Sequence, residues 1–395
     1  MKPAIVQRVA VHPLAIPLRS PVHHAAAERT AADPVIIAIE LTNGITGFGE
    51  AVARPYVTGE TAATVVTDIE SVFTPRLLNF HPPTFPEALE AIEALPFQDN
   101  GRLITSARGA VELALLDATM RHFGRDVGDI ARWMGIPELG TPGSLPTIHF
   151  SGVLAAQGIA ELKRKLRVMY WGGLRHFKLK VGLSDDRERL AVIRSYLRRG
   201  LASGRCTLRA DANGAWTVDQ ARRWLAEIGD ASLDALEQPL ARGAEDELSI
   251  LQQHSDIGLM HDESLITMED AQHLIELGVA DYFNIRLSKC GGLLPSLRIA
   301  VTALRHDVGI MLGCMVGETS ILSAAALRFL EVCPRVVWAE GLFGAFLLTD
   351  DIIRPSLRFG FGGRPPKCKG PGWGVQATEE RLQALASDEP RILHL

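Results

Sequence analysis

The sequence predicts an α/β protein: a modified TIM-type (β/α) barrel with an N-terminal α+β capping domain completed by the C-terminal segment. Two observations carry this. Short apolar runs alternate with helical stretches from about residue 144 to VVWAEG, without a long interruption. Several of those runs also end in a polar tip: Lys178-x-Lys180 in HFKLKVG, Asp211-x-Asn213 in TLRADANG, Glu237 in LDALEQPL, Asp262 in LMHDESL and Lys289 in FNIRLSKCGG. From Lys180 onward the tips lie 31, 26, 25 and 27 residues apart. One strand, one helix and two loops take about that length, so each unit of a parallel barrel would deliver one polar group to the same end.

In chain order, residues 1–140 read as the capping domain. AIVQRVAVHPLAI and PVIIAIELTNGITGFGEA are rich in β-branched residues, and Thr42-Asn43-Gly44 supplies a hairpin turn. Between them RSPVHHAAAERTAADP has no strong periodicity and reads as a loop or lid. In SARGAVELALLDATMRHFG the apolar residues wrap more than one face, which predicts a well-buried helix. Gly140-Thr141-Pro142-Gly143 marks a boundary, and residues 141–360 form the barrel. SLPTIHFSG is its first strand; helices follow at 156–170, 185–200 and 217–229, for seven or eight strands in all. A doubly wound sheet competes, but no G-x-G-x-x-G follows the first strand. Residues 361–395, rich in Gly and Pro at their start, are expected to return to the capping domain.

Composition narrows the function classes. At 395 residues the chain can bury an ample core without staples, and 47% apolar with 22% charged residues is ordinary for a globular protein. A formal charge of −5 gives no basic footprint for nucleic acid or an anionic membrane. The five cysteines, Cys206, Cys290, Cys314, Cys333 and Cys368, form no CxxC pair, which disfavours zinc or disulfide frameworks and fits a reduced cytoplasmic setting. Neither a signal peptide nor a membrane span is legible. A homo-oligomer is left open.

The tips themselves carry chemistry. Strand side chains alternate, so Lys178 and Lys180 share a face, as do Asp211 and Asn213. Taken singly, each is an exposed strand end or a cap. Taken together, three carboxylates from consecutive strands would converge, and a divalent cation would offset their repulsion. Oxygen-only ligands point to Mg²⁺, with Mn²⁺ second. Asp262 rather than Glu263 is chosen as ligand because Met260 and Ser264 are in phase with it. Lys180 and Lys289, from strands two and six, would flank the metal as two bases. Each lysine of the Lys178/Lys180 pair would depress the other's pKa. Such a set suits removal of a proton α to a carboxylate, with the resulting enolate stabilised by the cation. His149 stands alone on the first strand, which disfavours a zinc hydrolase, and Cys314 and Met315 read as packing.

The series KLK, DAN, EQP, DES and SKCGG resembles the muconate-lactonizing (mandelate racemase/muconate cycloisomerase) branch of the enolase superfamily, over nearly the whole chain. The resemblance implies that Asp211, Glu237 and Asp262 bind Mg²⁺, that Lys180 is a general acid/base supported by Lys178, and that Lys289 lies on the opposite face. Cap loops near 19–33 and 52–60 would close over a small-molecule carboxylate. Asn213, Glu318, Glu340, Tyr56 and His24 are the candidate substrate contacts. EGLFGAFLLTDDI resembles the stretch of muconate cycloisomerases, with its acidic residue, Glu340, displaced by one. Dipeptide epimerases carry a D-x-D pair where this chain has Trp338-Ala339-Glu340, and Glu318 falls one residue later than the family's spacing. The expected activity is therefore a muconate-type cycloisomerase. Epimerisation or racemisation of an amino-acid derivative, or a succinylbenzoate synthase-like dehydration, is the alternative, and a non-catalytic barrel the remote one.

Overall fold

Strands β1 (Val6–Pro13), β2 (Ile16–His24), β3 (Ala27–Ala32), β4 (Val35–Leu41) and β5 (Thr46–Ala51) open the chain in the computed structural model. The structure describes residues 2–24, 27–143, 147–229 and 232–395; the side chains of 23–28 lie outside the description. β1, β4 and β5 form an antiparallel sheet. The predicted turn joins β4 to β5, with Gly44 at φ 81°, a left-handed conformation that glycine adopts without Cβ penalty.

The stretch read as an aperiodic loop is instead the hairpin β2–β3, with Ile16 opposite Ala32 and Val22 opposite Arg29. A hairpin needs only backbone groups to pair. Most of its described side chains are exposed or half-buried, so no apolar alternation marked it. Its base is tied to the barrel by the Leu18–Leu348 bridge and by Thr349 N–H donating to Pro17 O.

Helix α1 (Thr105–Phe123) is buried almost all round, as its sequence implied. It presses onto β5 because glycines meet alanines. A Cβ on Gly49 would lie 1.9 Å from Ala110 O, and one on Gly47 would lie 2.2 Å from Ala114 O. Gly47 and Gly49 share a strand face, and Ala110, Ala114 and Ala118 recur at i+4, so strand and helix touch backbone to backbone.

The barrel runs β6 (Gly152–Leu154), α2 (Ile159–Trp171), β7 (His176–Lys180), α3 (Asp186–Ala202), β8 (Thr207–Asp211), α4 (Val218–Ile228) and β9 (Ala235–Glu237). It continues through β10 (Gly258–His261), α5 (Met268–Glu276), β11 (Tyr282–Ile285), α6 (Leu293–Arg305), β12 (Gly309–Leu312), α7 (Ser320–Leu330) and β13 (Val336–Ala339). Among the described residues these strands make one eight-stranded sheet in sequential order, parallel throughout. It closes where Phe150 bridges Ala339 and Ser151 N–H donates to Ala339 O at 2.8 Å. The first strand is thus shorter and later than SLPTIHFSG suggested; residues 144–146 lie outside the description. Strand β14 (Arg391–His394) pairs antiparallel with β1, so the C-terminal segment does return to the first sheet.

Two buried carboxylates join the N-terminal elements to the barrel. Glu50 of β5 accepts the Thr319 and Leu322 N–H groups and the Thr319 hydroxyl at the start of α7. Glu112 of α1 accepts Leu293 and Leu294 N–H at 2.6 and 2.8 Å, at the start of α6, with Arg108 3.8 Å away. Helix N-termini carry unsatisfied N–H groups and partial positive charge, so each carboxylate is well placed. Burial nevertheless pushes both acids up to about 7, against those hydrogen bonds.

Candidate active site

Strand register places the polar tips side by side. Lys180 is the register partner of Asp211, and Asp211 of Glu237. Met260 pairs with Glu237, which brings Asp262, two residues on and in phase, to the same rim. The ends of β7 to β10 thus form an arc of one amine followed by three carboxylates.

Lys180 Nζ donates to Asp211 Oδ2 and Asn213 Oδ1, both at 2.7 Å, and its side chain remains 31% exposed. Asn213 takes a left-handed conformation (φ 49°), steadied by its N–H donating to Asp211 Oδ1. Lys178 lies deeper, with Glu340 at 2.7 Å and Asp211 and Glu237 each at 3.2 Å. Burial would lower its pKa, but these three carboxylates together raise it above the usual lysine range. The expected mutual depression of two amines is therefore corrected for Lys178: it is a locked ammonium. Burial pushes Asp211 up, yet Lys180 and Lys178 hold it well below the usual carboxylate range. Burial and the neighbouring Asp211 push Glu237 up to about 7, against Lys178.

Lys289 departs from the expectation as well. Its ammonium is fully buried and donates to Asp262 O, Asp262 Oδ1 and Asn284 O at 2.6, 2.8 and 2.9 Å. Those bonds use all three of its donors. The side chain facing the arc from the sixth strand is Arg286, in contact with Asp262 Oδ2 and 3.8 Å from Glu237 Oε1. The signal was legible: Asn284 and Arg286 are in phase on one strand, and Asn284 Nδ2 donates to Glu237 at 2.7 Å.

Glu340, a candidate substrate contact by sequence, is engaged by cations in this structure. It is buried between Lys178 and Arg209, whose Nη2 donates to Glu340 Oε1 at 2.7 Å. Arg209 is fully buried over the Trp338 ring, 4.8 Å from its centroid, and sequence reasoning missed it. Glu318 stays near the mouth, its Oε1 accepting Met315 N–H at 2.6 Å, and burial pushes it up to about 8. Tyr56 is 37% exposed beside Arg54. Arg54 is buried and donates to Asp33 at the hairpin base and to Val316 O after β12. Cys314 lies two residues past β12, where burial, with the charges of Glu318 and Glu340, pushes its thiol up. The His24 side chain lies outside the described residues.

Among the described residues no three acidic, His or Cys groups are gathered as a finished cation site; Lys178, Arg286 and Lys289 stand against the carboxylates instead. The donor set still fits a hard divalent ion. Three carboxylates share a rim, and two further buried oxygens of the same cluster, Glu263 Oε2 and Asn284 Oδ1, have no hydrogen-bond partner. Burial, with the adjacent Asp262 and Asp211, pushes Glu263 up to about 7.

Residues 161–381 match the family described as enolase C-terminal domain-like, and residues 6–130 the mandelate racemase / muconate lactonizing enzyme N-terminal domain. N-succinyl-L-Arg/Lys racemase of Bacillus cereus is 24% identical over 383 residues, covering 96% of this chain and 97% of that one. Chloromuconate cycloisomerase of Pseudomonas putida is 28% identical over 349 residues, covering 86% and 88%. The crystal structure of muconate lactonizing enzyme from Pseudomonas fluorescens with muconolactone superposes with a TM-score of 0.83 at 25% identity, covering 97% of this chain and 99% of the other. No helix among the described residues is long and apolar enough to cross a membrane.

Proposed function

Because this chain belongs to the mandelate racemase/muconate lactonizing branch of the enolase superfamily, we propose that it moves a proton at the carbon α to a substrate carboxylate, in a cycloisomerisation of the muconate type. Enzymes of this family generally use a divalent metal, typically Mg²⁺. Asp211, Glu237 and Asp262 would hold it, and when bound it supplies the concentrated positive charge that makes such a proton removable.

One observation carries the reading: Lys180 is the half-exposed amine of the arc, in register with Asp211 and hydrogen-bonded to Asn213. In the lactone-forming direction a carboxylate oxygen of the substrate adds across the double bond conjugated to its other carboxylate. Lys180 then gives its proton to the carbon α to that second carboxylate; the reverse step takes it back. Asn213 orients the Lys180 amine, while Lys178, held by three carboxylates, keeps its charge beneath the reacting end. Arg209 and Glu340 fix Lys178 from below.

Asp211→Asn tests the metal assignment. Mg²⁺ affinity by calorimetry is expected to fall at least about 10²-fold, with turnover of muconate or muconolactone falling alongside. Unchanged affinity and unchanged turnover together would remove the metal site from the proposal.

A further inference from the structure

Resting on that proton-transfer reading, we propose that this barrel moves protons on one face of the substrate only, the face of Lys180, and that Arg286 is the specificity-determining residue that closes the other. Strands β7 and β11 are the second and sixth of eight, so their ends stand across the barrel, with the carboxylate arc between them. Lys180 touches the first carboxylate of the arc and Arg286 the last.

Two-sided transfer needs a group on the far side that can both accept and donate a proton. Arg286 is a guanidinium with five donors and no acceptor, so it cannot take one up. It is anchored by Asp262, by Glu237 at 3.8 Å and by the Met315 sulfur, which accepts from Nη1 at 3.5 Å, and is 12% exposed. Lys289 has a usable amine by type, but it is fully buried with every donor engaged. Glu263 is drawn to the Lys180 side by Asn213, whose Nδ2 donates to Glu263 Oε1 at 3.3 Å. Glu318 has one oxygen turned onto the Met315 amide and is 8% exposed. Among the described residues, neither cation that the sixth strand brings to the far face can cycle a proton, so on this proposal the proton leaves and returns on the Lys180 side. That suits cycloisomerisation or elimination and excludes interconversion of enantiomers, for which one face must be deprotonated and the other reprotonated.

The test is exchange in D₂O with the wild-type enzyme and Mg²⁺, followed by NMR and chiral chromatography. The probes are muconolactone and both hands of N-succinyl-lysine. Deuterium entering the α-carbon with configuration retained, and one hand of N-succinyl-lysine exchanging without the other appearing, is the expected result. Interconversion of the two hands by the wild type at a rate comparable with exchange would overturn the inference and leave the proton-transfer reading standing. Exchange in none of the probes would overturn that reading itself, and the inference with it. Arg286→Lys supplies a group that can cycle a proton, and should raise the ratio of interconversion to exchange by about 10²-fold. The wild-type result decides the matter whether or not that variant folds.

Discussion

Lys180→Met is expected to slow α-proton exchange about 10²–10⁴-fold, the range associated with a positioned general base or acid. Mg²⁺ affinity should change far less, because the three carboxylates remain. Lys180 is partly exposed, and the buried Asp211 would keep Lys178 at 3.2 Å as its counter-charge, so the variant should fold with a smaller loss of stability than one that removes Lys178. Lys178→Met is the informative contrast. It would leave Glu237, Glu340 and Asp211 buried around an apolar group, and should cost stability as well as rate. Rates from single-turnover exchange, set beside urea midpoints, separate the two. A Lys180→Met enzyme that exchanges at the wild-type rate would take this lysine out of the chemistry.

Glu112→Ala should be the most damaging change outside the site, at about 3–5 kcal/mol of unfolding free energy, the usual cost of removing one partner of a buried ion pair. It strips the Leu293 and Leu294 N–H groups of their acceptor and leaves Arg108 buried without its counter-charge. The effect should also depend on pH. Glu112 is pushed from 4.5 to about 7 in the fold by burial. An acid with a raised folded pKa favours the native state most below its unfolded value, and that contribution is lost as pH rises through about 7. Urea unfolding of the wild type should therefore weaken between pH 4.5 and pH 7 by a component that Glu112→Ala lacks. Parallel pH profiles for the two proteins would contradict this assignment.

Much of the architecture could be read from the chain because it rests on local periodicity. The apolar runs ending in Lys180, Asp211, Glu237 and Asp262 are strand ends by pattern alone, and the register confirms that they lie abreast. What escaped depends on partners far apart in sequence. The hairpin β2–β3 has backbone pairing but no buried face to write an alternation into its residues. Lys289 looked like a base because its position after the strand was visible, whereas its three acceptors, supplied by Asp262 and Asn284, were not. Arg286 was passed over although strand phase pointed to it. Glu340 stands out in the sequence only through the resemblance of EGLFGAFLLTDDI to the muconate cycloisomerase stretch; its pairing with Arg209 and Lys178, 131 and 162 residues away in sequence, is not legible there.

The pairing of β1 with β14 sets an order for folding. Arg8 lies opposite His394, and Val11 opposite Arg391, so this sheet edge can form only after nearly the whole intervening chain has been drawn together. Closing such a span is entropically costly before the barrel is compact, while the adjoining β4–β5 hairpin is local and quick. The first sheet is therefore expected to begin with the β4–β5 hairpin and to gain β14 later. Until β14 arrives, β1 keeps an unpaired row of backbone donors and acceptors, the stage at which a crowded, partly folded chain is most open to joining another copy edge to edge.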